Sequence, residues 1–357
     1  MLNRGVRRKR TAHRASKFVC FSLVVAAYFQ LERSSLVPSS TTEAFRRPCT
    51  PANSKVHYQI ARLQVGILVQ VGNWDLWDEL AHTCIDHILH SVKTSFLMVS
   101  SHVPGKQSLV QKRYPCARVL TVPNYGADIA PFFTQLSNVQ GDLEAVDFVL
   151  KLHTKTEPYW RKSMIEPICG TRAAVQRSLR ALRADPTAGV VAAHKYVYFM
   201  DGNDENIIRH SISPSYNLNV SFYTLYEKIS RESNFEPEFY EAWLSNTDLR
   251  GLDPVEIENH FKHHGRRERR IFSKAMLENL ARSNYPQFVA GTIFWFRAAP
   301  VKKFLQKFKA STIAQSMSLE TGYFRDNVTG RLTHAWERCF HLVLYSQGFK
   351  VIGIRDD

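Results

Sequence analysis

The run Asp147-Phe148-Val149-Leu150-Lys151-Leu152-His153-Thr154-Lys155 combines an apolar core with three cationic or titratable groups. Phe148, Val149, Leu150 and Leu152 read as a buried strand of a parallel sheet, and Lys151, His153 and Lys155 gather at its carboxyl end. Open α/β sheets bind ligands in the crevice beyond the carboxyl ends of their strands, and lysines there suit an anion such as a diphosphate. The competing reading is a solvated edge strand whose lysines reach for water. Upstream, PNYGADIAPFF (Pro123–Phe133) places Gly126 where a tight turn is needed directly after a strand. Asp128 there can bond a ribose hydroxyl or cap the next helix. Downstream, Trp160, Arg161 and Lys162 open a helical region. Gly291 in FVAGTIFWFR sits where backbone and ligand can approach closely. His334, Glu337 and His341 recur at i, i+3 and i+7 of a predicted helix, so they share a face.

The elements that must position these groups alternate. Strands are predicted over 61–71, 95–100, 117–122 and 147–152, then over 188–199 and from Phe288 into a helix, with a last strand after the turn at Gly348. Helices are predicted over 74–90, from Trp160, and around Val175, Leu179 and Leu182. This order implies an α/β fold with a doubly wound, mostly parallel sheet. Residues 234–271 read as a separate helical insertion, in which Glu256, His260, His263 and His264 invite a metal reading and are more simply a basic helix end. Asp201 and Asp204 in DGNDEN read as a polar turn.

The chain has 357 residues, a hydrophobic content of 44%, a charged content of 22% and a formal net charge of +15, an ordinary globular composition. Seven Lys and Arg residues fall among the first 17 positions with no acid between them, which leaves the body only mildly basic and gives no signal for nucleic acid as a partner. The uncharged run Phe18–Leu31 follows at once. Basic flank plus apolar run predicts a signal anchor over residues 1–31, with a stem or linker over 32–56 and the body from 57 to 357. The expected location is a secretory-pathway membrane, single-pass type II, in the Golgi, with secretion or organelle targeting as the alternative. Asn219-Val220-Ser221 and Asn327-Val328-Thr329 are sequons compatible with a lumen. The six cysteines contain no CxxC pair, which excludes the usual zinc spacings and leaves disulfide pairing open.

Four blocks, NYGADIAPFF, DFVLKLHTK with WRK, FVAGTIFWFR, and HAWERCF with its later GF, together resemble the rhamnan synthesis protein F family over about residues 60–354. The insertion resembles a small helical motif of bacterial polysaccharide proteins that ends in His-Gly-x-x-Glu-Gly-Arg, with Arg269 here in place of the last glycine. The order of elements is similar to a GT-A nucleotide-sugar transferase. The resemblance implies a glycosyltransferase, hexosyltransferase-like, that moves a sugar, with a rhamnose-like deoxyhexose as the candidate, from a nucleotide-sugar donor to a glycan acceptor in polysaccharide or glycoprotein synthesis. Its alternative is a noncatalytic nucleotide-sugar- or glycan-binding module on the same fold. By this resemblance Glu337, Lys151, His153 and Lys155 are catalytic, with Glu337 the base that deprotonates the acceptor. Asn124, Gly126, Asp128, Trp160 and Arg161 hold the donor, and Gly291, Trp295, His334 and Arg338 line the sugar pocket. Lys151-Leu152-His153-Thr154-Lys155 stands where that fold carries a metal-binding Asp-x-Asp, so the lysines are expected to neutralise the departing diphosphate. No cofactor is implied, and a divalent metal stays an alternative.

Overall fold

The computed structural model describes residues 62–355 apart from 201, 213–222, 243–251, 266–269, 284 and 322–330. The expected anchor and stem, and both sequons, lie outside the described residues, as does Asp201. No helix among the described residues is long and apolar enough to cross a membrane.

The body is an α/β fold around a seven-stranded sheet of order β3-β2-β1-β4-β8-β5-β9. Its strands are β1 (Gln64–Gln70), β2 (Lys93–Ser101), β3 (Arg118–Thr121), β4 (Phe148–His153), β5 (Ala188–Ala193), β8 (Phe294–Arg297) and β9 (Lys350–Ile354). β1, β2, β3 and β4 pair in parallel, as do β5 and β9, whereas β8 runs antiparallel to both β4 and β5. The sheet is therefore mostly parallel and mixed. The segment expected to be one strand entering a helix is two strands: β7 (Gln287–Val289) ends before a tight turn, and only β8 joins the large sheet.

Both faces of the sheet are covered, which is why β4 and β5 are buried at every position and read as continuous apolar runs. Alternation along β8 shows the two layers. Trp295 points to one face, where its Nε1–H donates to Ile168 O (3.2 Å) in the helix Pro158–Cys169. Phe294 and Phe296 point to the other, edge-on to Phe132 in the helix Ile129–Asn138. Phe340 of the helix Arg331–Ser346 closes the same cluster at 5.2 Å from Phe132. Each of these rings contributes about 1.5–3 kcal/mol by burial, plus about 0.5–1.5 kcal/mol per well-oriented pair. Cys84 and Cys169 form a disulfide that ties the helical run 74–89 to the end of Pro158–Cys169. Closing a loop of 85 residues in this way removes about 4–5 kcal/mol of unfolded-chain entropy.

Between β6 (Val197–Phe199) and β7, which pair antiparallel as a two-stranded ribbon, the described residues carry the helices Gly202–Ser211, Tyr223–Arg231, Pro237–Ala242, Pro254–His260 and Lys274–Arg282, on both sides of the expected insertion at 234–271 as well as within it. This helical region has its own core, in which Tyr226, Tyr240, Ile257, Phe261, Phe272 and Met276 are buried and Phe235 stacks on Phe261 at 4.2 Å. Glu256 is a helix cap there, accepting from the Asp253 N–H (3.0 Å) in a reciprocal capping box, and His260 Nδ1 meets the Tyr240 hydroxyl at 3.1 Å. Among the described residues no group of three or more His, Cys, Asp or Glu could hold a metal ion.

Candidate functional site

The chain leaves β1 to one side of the sheet and β4 to the other, so the topological switch point falls between their carboxyl ends. Because β8 is antiparallel, its amino-terminal end and the preceding turn 290–293 reach the same edge. The turn following β3 and the first turns of Arg331–Ser346 also arrive there, through the contacts described below.

Gly126 makes the first of these turns possible. Its φ is +62°, and a Cβ would lie 2.5 Å from the Ala130 Cβ, so both conformation and space require glycine. Ala127 follows with φ +48°, and the pair swings Asp128 back over the sheet edge. A matching pair, Gly291 (φ +77°) and Thr292 (φ +55°), turns the chain into β8. A β-branched residue in the left-handed region costs of the order of 1–3 kcal/mol and persists only where its surroundings hold it. Here Thr292 Oγ1 donates to Asp128 Oδ2, and both its Oγ1 (2.8 Å) and its O (2.9 Å) accept from Lys151 Nζ.

Lys151 Nζ also donates to Asp128 Oδ2 at 2.5 Å, which engages all three ammonium hydrogens. The side chain is 2% exposed and its ammonium lies 5.3 Å from the Phe132 ring centre. Burial pushes the Lys151 ammonium down, and Asp128 partly restores it. Burial would raise the Asp128 carboxyl, but Lys151 and Thr292 outweigh it and hold it well below the usual carboxylate range. Two expectations change here. Asp128 makes no helix-cap bond; its carboxylate is the counterion of Lys151. Lys151, expected to neutralise a leaving group, is an internal ion pair whose donors are already taken by the protein.

His153 is 5% exposed, with Nε2 2.7 Å from Gly291 O. A carbonyl only accepts, so Nε2 carries the hydrogen. Burial pushes the ring below its ordinary value, so it is neutral and Nδ1 keeps a lone pair that can take a proton. Gly291 N–H donates in turn to Glu337 Oε1 (3.1 Å). Glu337 Oε2 lies 3.2 Å from Arg338 Nη1 and 3.5 Å from His334 Nδ1. Burial raises the Glu337 carboxyl, but these partners outweigh it, so the group is lowered and ionised. Arg338 Nε donates to Asp204 Oδ1, and Arg338 lies over the Phe288 ring at 4.7 Å. Asp204 is thus a buried ion-pair partner within the helix Gly202–Ser211, not part of a turn. One polar network therefore runs from Asp128 through Lys151, Thr292, Gly291 and Glu337 to Arg338.

The remaining expected residues separate. Lys155 is half-buried at the rim, with Nζ 4.8 Å from the ring centre of Trp160, which is 47% exposed. Asn124 is exposed beside the Gly126 turn. Arg161, expected at the donor, is buried: it grips Glu79 through Nε (2.7 Å) and Nη2 (2.9 Å), and its Nη1 donates to Lys155 O (2.6 Å) and Thr156 O (3.2 Å). It positions the Lys155 loop and is not open to a ligand. Trp295, expected in a sugar pocket, is fully buried on the opposite face of β8 from Phe294, because a one-residue step along a strand reverses the side-chain direction.

Several residues of the site carried no local signal. Glu320 joins two sides of it: its O accepts from Gly126 N–H (2.7 Å), and its carboxylate caps the Arg331–Ser346 helix through Leu332 N–H (2.7 Å) and Thr333 N–H (2.8 Å). Thr154 Oγ1 accepts from Gly72 N–H (2.9 Å) and Asn73 N–H (3.0 Å), pinning the ends of β4 and β1 together. Only the Gly-Thr pair before β8 could have pointed to Thr292. Compared with known proteins, the chain matches no protein-family model, no curated protein and no solved structure.

Proposed function

We propose that the chain is a glycosyltransferase with a GT-A-like layout, akin to the rhamnan synthesis protein F family, moving a sugar from a nucleotide-sugar donor to a glycan acceptor. The observation that carries this reading is the polar network at the switch point, where Glu337 and His153 stand beside the rim lysine Lys155. Inversion at a sugar carbon needs a base for the acceptor hydroxyl and a cation for the departing diphosphate. Glu337 is ionised and can accept a proton, with the neutral His153 Nδ1 as the second acceptor. Lys155, whose ammonium rests on an exposed ring, takes the cationic role, since the Lys151 donors are engaged within the protein. The reading places the body in the lumen of a secretory membrane, the Golgi, behind an amino-terminal anchor. The Cys84–Cys169 bridge supports an oxidising compartment.

The full-length chain, incubated with a panel of nucleotide sugars and acceptor glycans, releases nucleotide with at least one donor. Glu337→Gln lowers that turnover by about 10²-fold or more. No turnover with any donor overturns the transferase reading. In that case the binding-module reading stands, and the saturated Lys151 ammonium already favours it.

A further inference from the structure

Two large aromatic side chains stand in water side by side at the start of Pro158–Cys169: Tyr159 is 62% exposed and Trp160 47%. Their surroundings mark them as more than surface scatter. β4 and β5 both run antiparallel to β8, so they are parallel to each other and end at the same edge of the sheet. Lys155 follows the end of β4, Lys195 follows the end of β5, and the two rings lie between them. Lys155 Nζ sits 4.8 Å from the Trp160 ring centre and Lys195 Nζ 4.3 Å from that of Tyr159, where it also donates to the phenol oxygen (2.7 Å). Trp160 leans on Tyr196 at 6.2 Å, and the Tyr196 hydroxyl is held by Ser163. The backbone beneath is rigid. Glu157 caps the helix at Tyr159 N–H (3.1 Å) and Trp160 N–H (2.5 Å), and Arg161 locks the Lys155 loop to Glu79.

We propose that this rim of Lys155, Tyr159, Trp160 and Lys195, backed by the buried Tyr196, binds an acidic saccharide, a sugar carrying a carboxylate or sulfate. Resting on the transferase reading above, that saccharide is the acceptor, and Lys155, once displaced from the Trp160 ring, stands between its acidic group and the donor diphosphate while Lys195 meets the acceptor alone. A pyranose has an apolar, electropositive C–H face that complements the negative face of an aromatic ring. In the free protein one ammonium lies against each of these rings, a weak contact at such exposed sites. A sugar that takes the ring face displaces the lysine. An acidic substituent gives that lysine a charge-assisted hydrogen bond in exchange for the ring it leaves. A neutral sugar displaces the same cation and returns nothing. The rim therefore selects for charge as well as for a ring, and its fixed backbone keeps the ordering cost of binding low.

The test uses the full-length chain in detergent, titrated by calorimetry and Trp fluorescence with two probes of equal length. One is a tetrasaccharide with alternating glucuronate, the other neutral tetra-N-acetylglucosamine. The acidic probe binds at least 10-fold tighter, and raising salt from low to high erodes that margin. Trp160→Ala weakens it at least 10-fold and Trp160→Phe restores most of the loss. The double variant Lys155→Gln/Lys195→Gln binds both probes alike. Equal affinity for the two probes overturns the proposal. So does an unchanged Trp160→Ala, or absence of binding by a chain that melts normally. A nucleoside diphosphate that quenches Trp160 fluorescence while neither saccharide binds also overturns it and assigns the rim to the donor. These readouts need no turnover, so a failed transferase assay leaves them intact, and an active transferase without acidic binding sinks only the rim.

Discussion

Lys151 and Lys155 stand four residues apart in one short run, yet they end in opposite surroundings. The first is sealed under the turn 290–293 with Asp128 and Thr292 on its ammonium; the second sits on the rim with an exposed indole beneath it. The first interaction is part of the fold's interior, where a charge without its partner is costly. The second is loose and replaceable, as a contact with a ligand must be. A motif of spaced cations thus divides into a structural half and a chemical half, and the dividing line is the reach of the turn that enters β8.

The largest effect expected from breaking this contrast is on stability. Lys151→Met leaves the half-buried Asp128 without its counterion, and should cost about 3 kcal/mol in denaturant unfolding. The double variant Lys151→Met/Asp128→Asn should recover most of that loss, since methionine suits the space between Phe132 and Phe294. Recovery by neither change would show that the pair is not a unit. A comparable effect concerns acid. His341 donates from Nδ1 to Glu337 O (2.9 Å), packs against Phe294 and Phe340, and is held by burial at about 4, below its ordinary value of 6.5. A depressed folded value means stability that is present above about 6.5 and lost as pH falls through about 4. The wild type should therefore lose about 3 kcal/mol across that window, and His341→Phe should flatten the slope in urea midpoints measured against pH. His153, lowered by burial in the same direction, keeps part of the slope. The smallest effect belongs to the rim: Lys155→Gln should change unfolding free energy by no more than about 0.5 kcal/mol. A loss as large as that at Lys151 would erase the distinction between the two lysines.

What the sequence made legible follows from what is local. The apolar stretch Phe148–Leu152, the helix faces built on Val175, Leu179 and Leu182, and the helix–Gly348–strand ending all appear, because burial on both faces and a 3.6-residue period leave direct marks. Strand ends on one edge converge, so Lys151 and His153 lie together, and hydrogen bonds through Gly291 bring Glu337 of the last helix beside His153. The direction of β8 was not legible, because pairing sense depends on distant partners rather than on Phe-Trp-Phe itself. That reversal, and the turn before it, decide that Trp295 faces the core and that Lys151 is enclosed. Asp204 and Arg338 meet from 134 positions apart, and Asp204 lies in a polar stretch whose pattern carries no mark of a partner.

The β6–β7 ribbon has a consequence of a different kind. Val197 sits opposite Val289, so the chain enters and leaves the 202–282 insertion through neighbouring backbone positions. The insertion is anchored at that gate and at its first helix, Gly202–Ser211, where Asp204 pairs with Arg338; beyond these, lengthening a closed loop adds little entropy cost. The part of the insertion beyond Gly202–Ser211 is thus a cassette, whose length can change without disturbing strand register. The exit strand leads within two residues to Gly291, whose backbone bonds both His153 and Glu337. Whatever docks on the cassette accordingly has a short route to the two groups that would move protons.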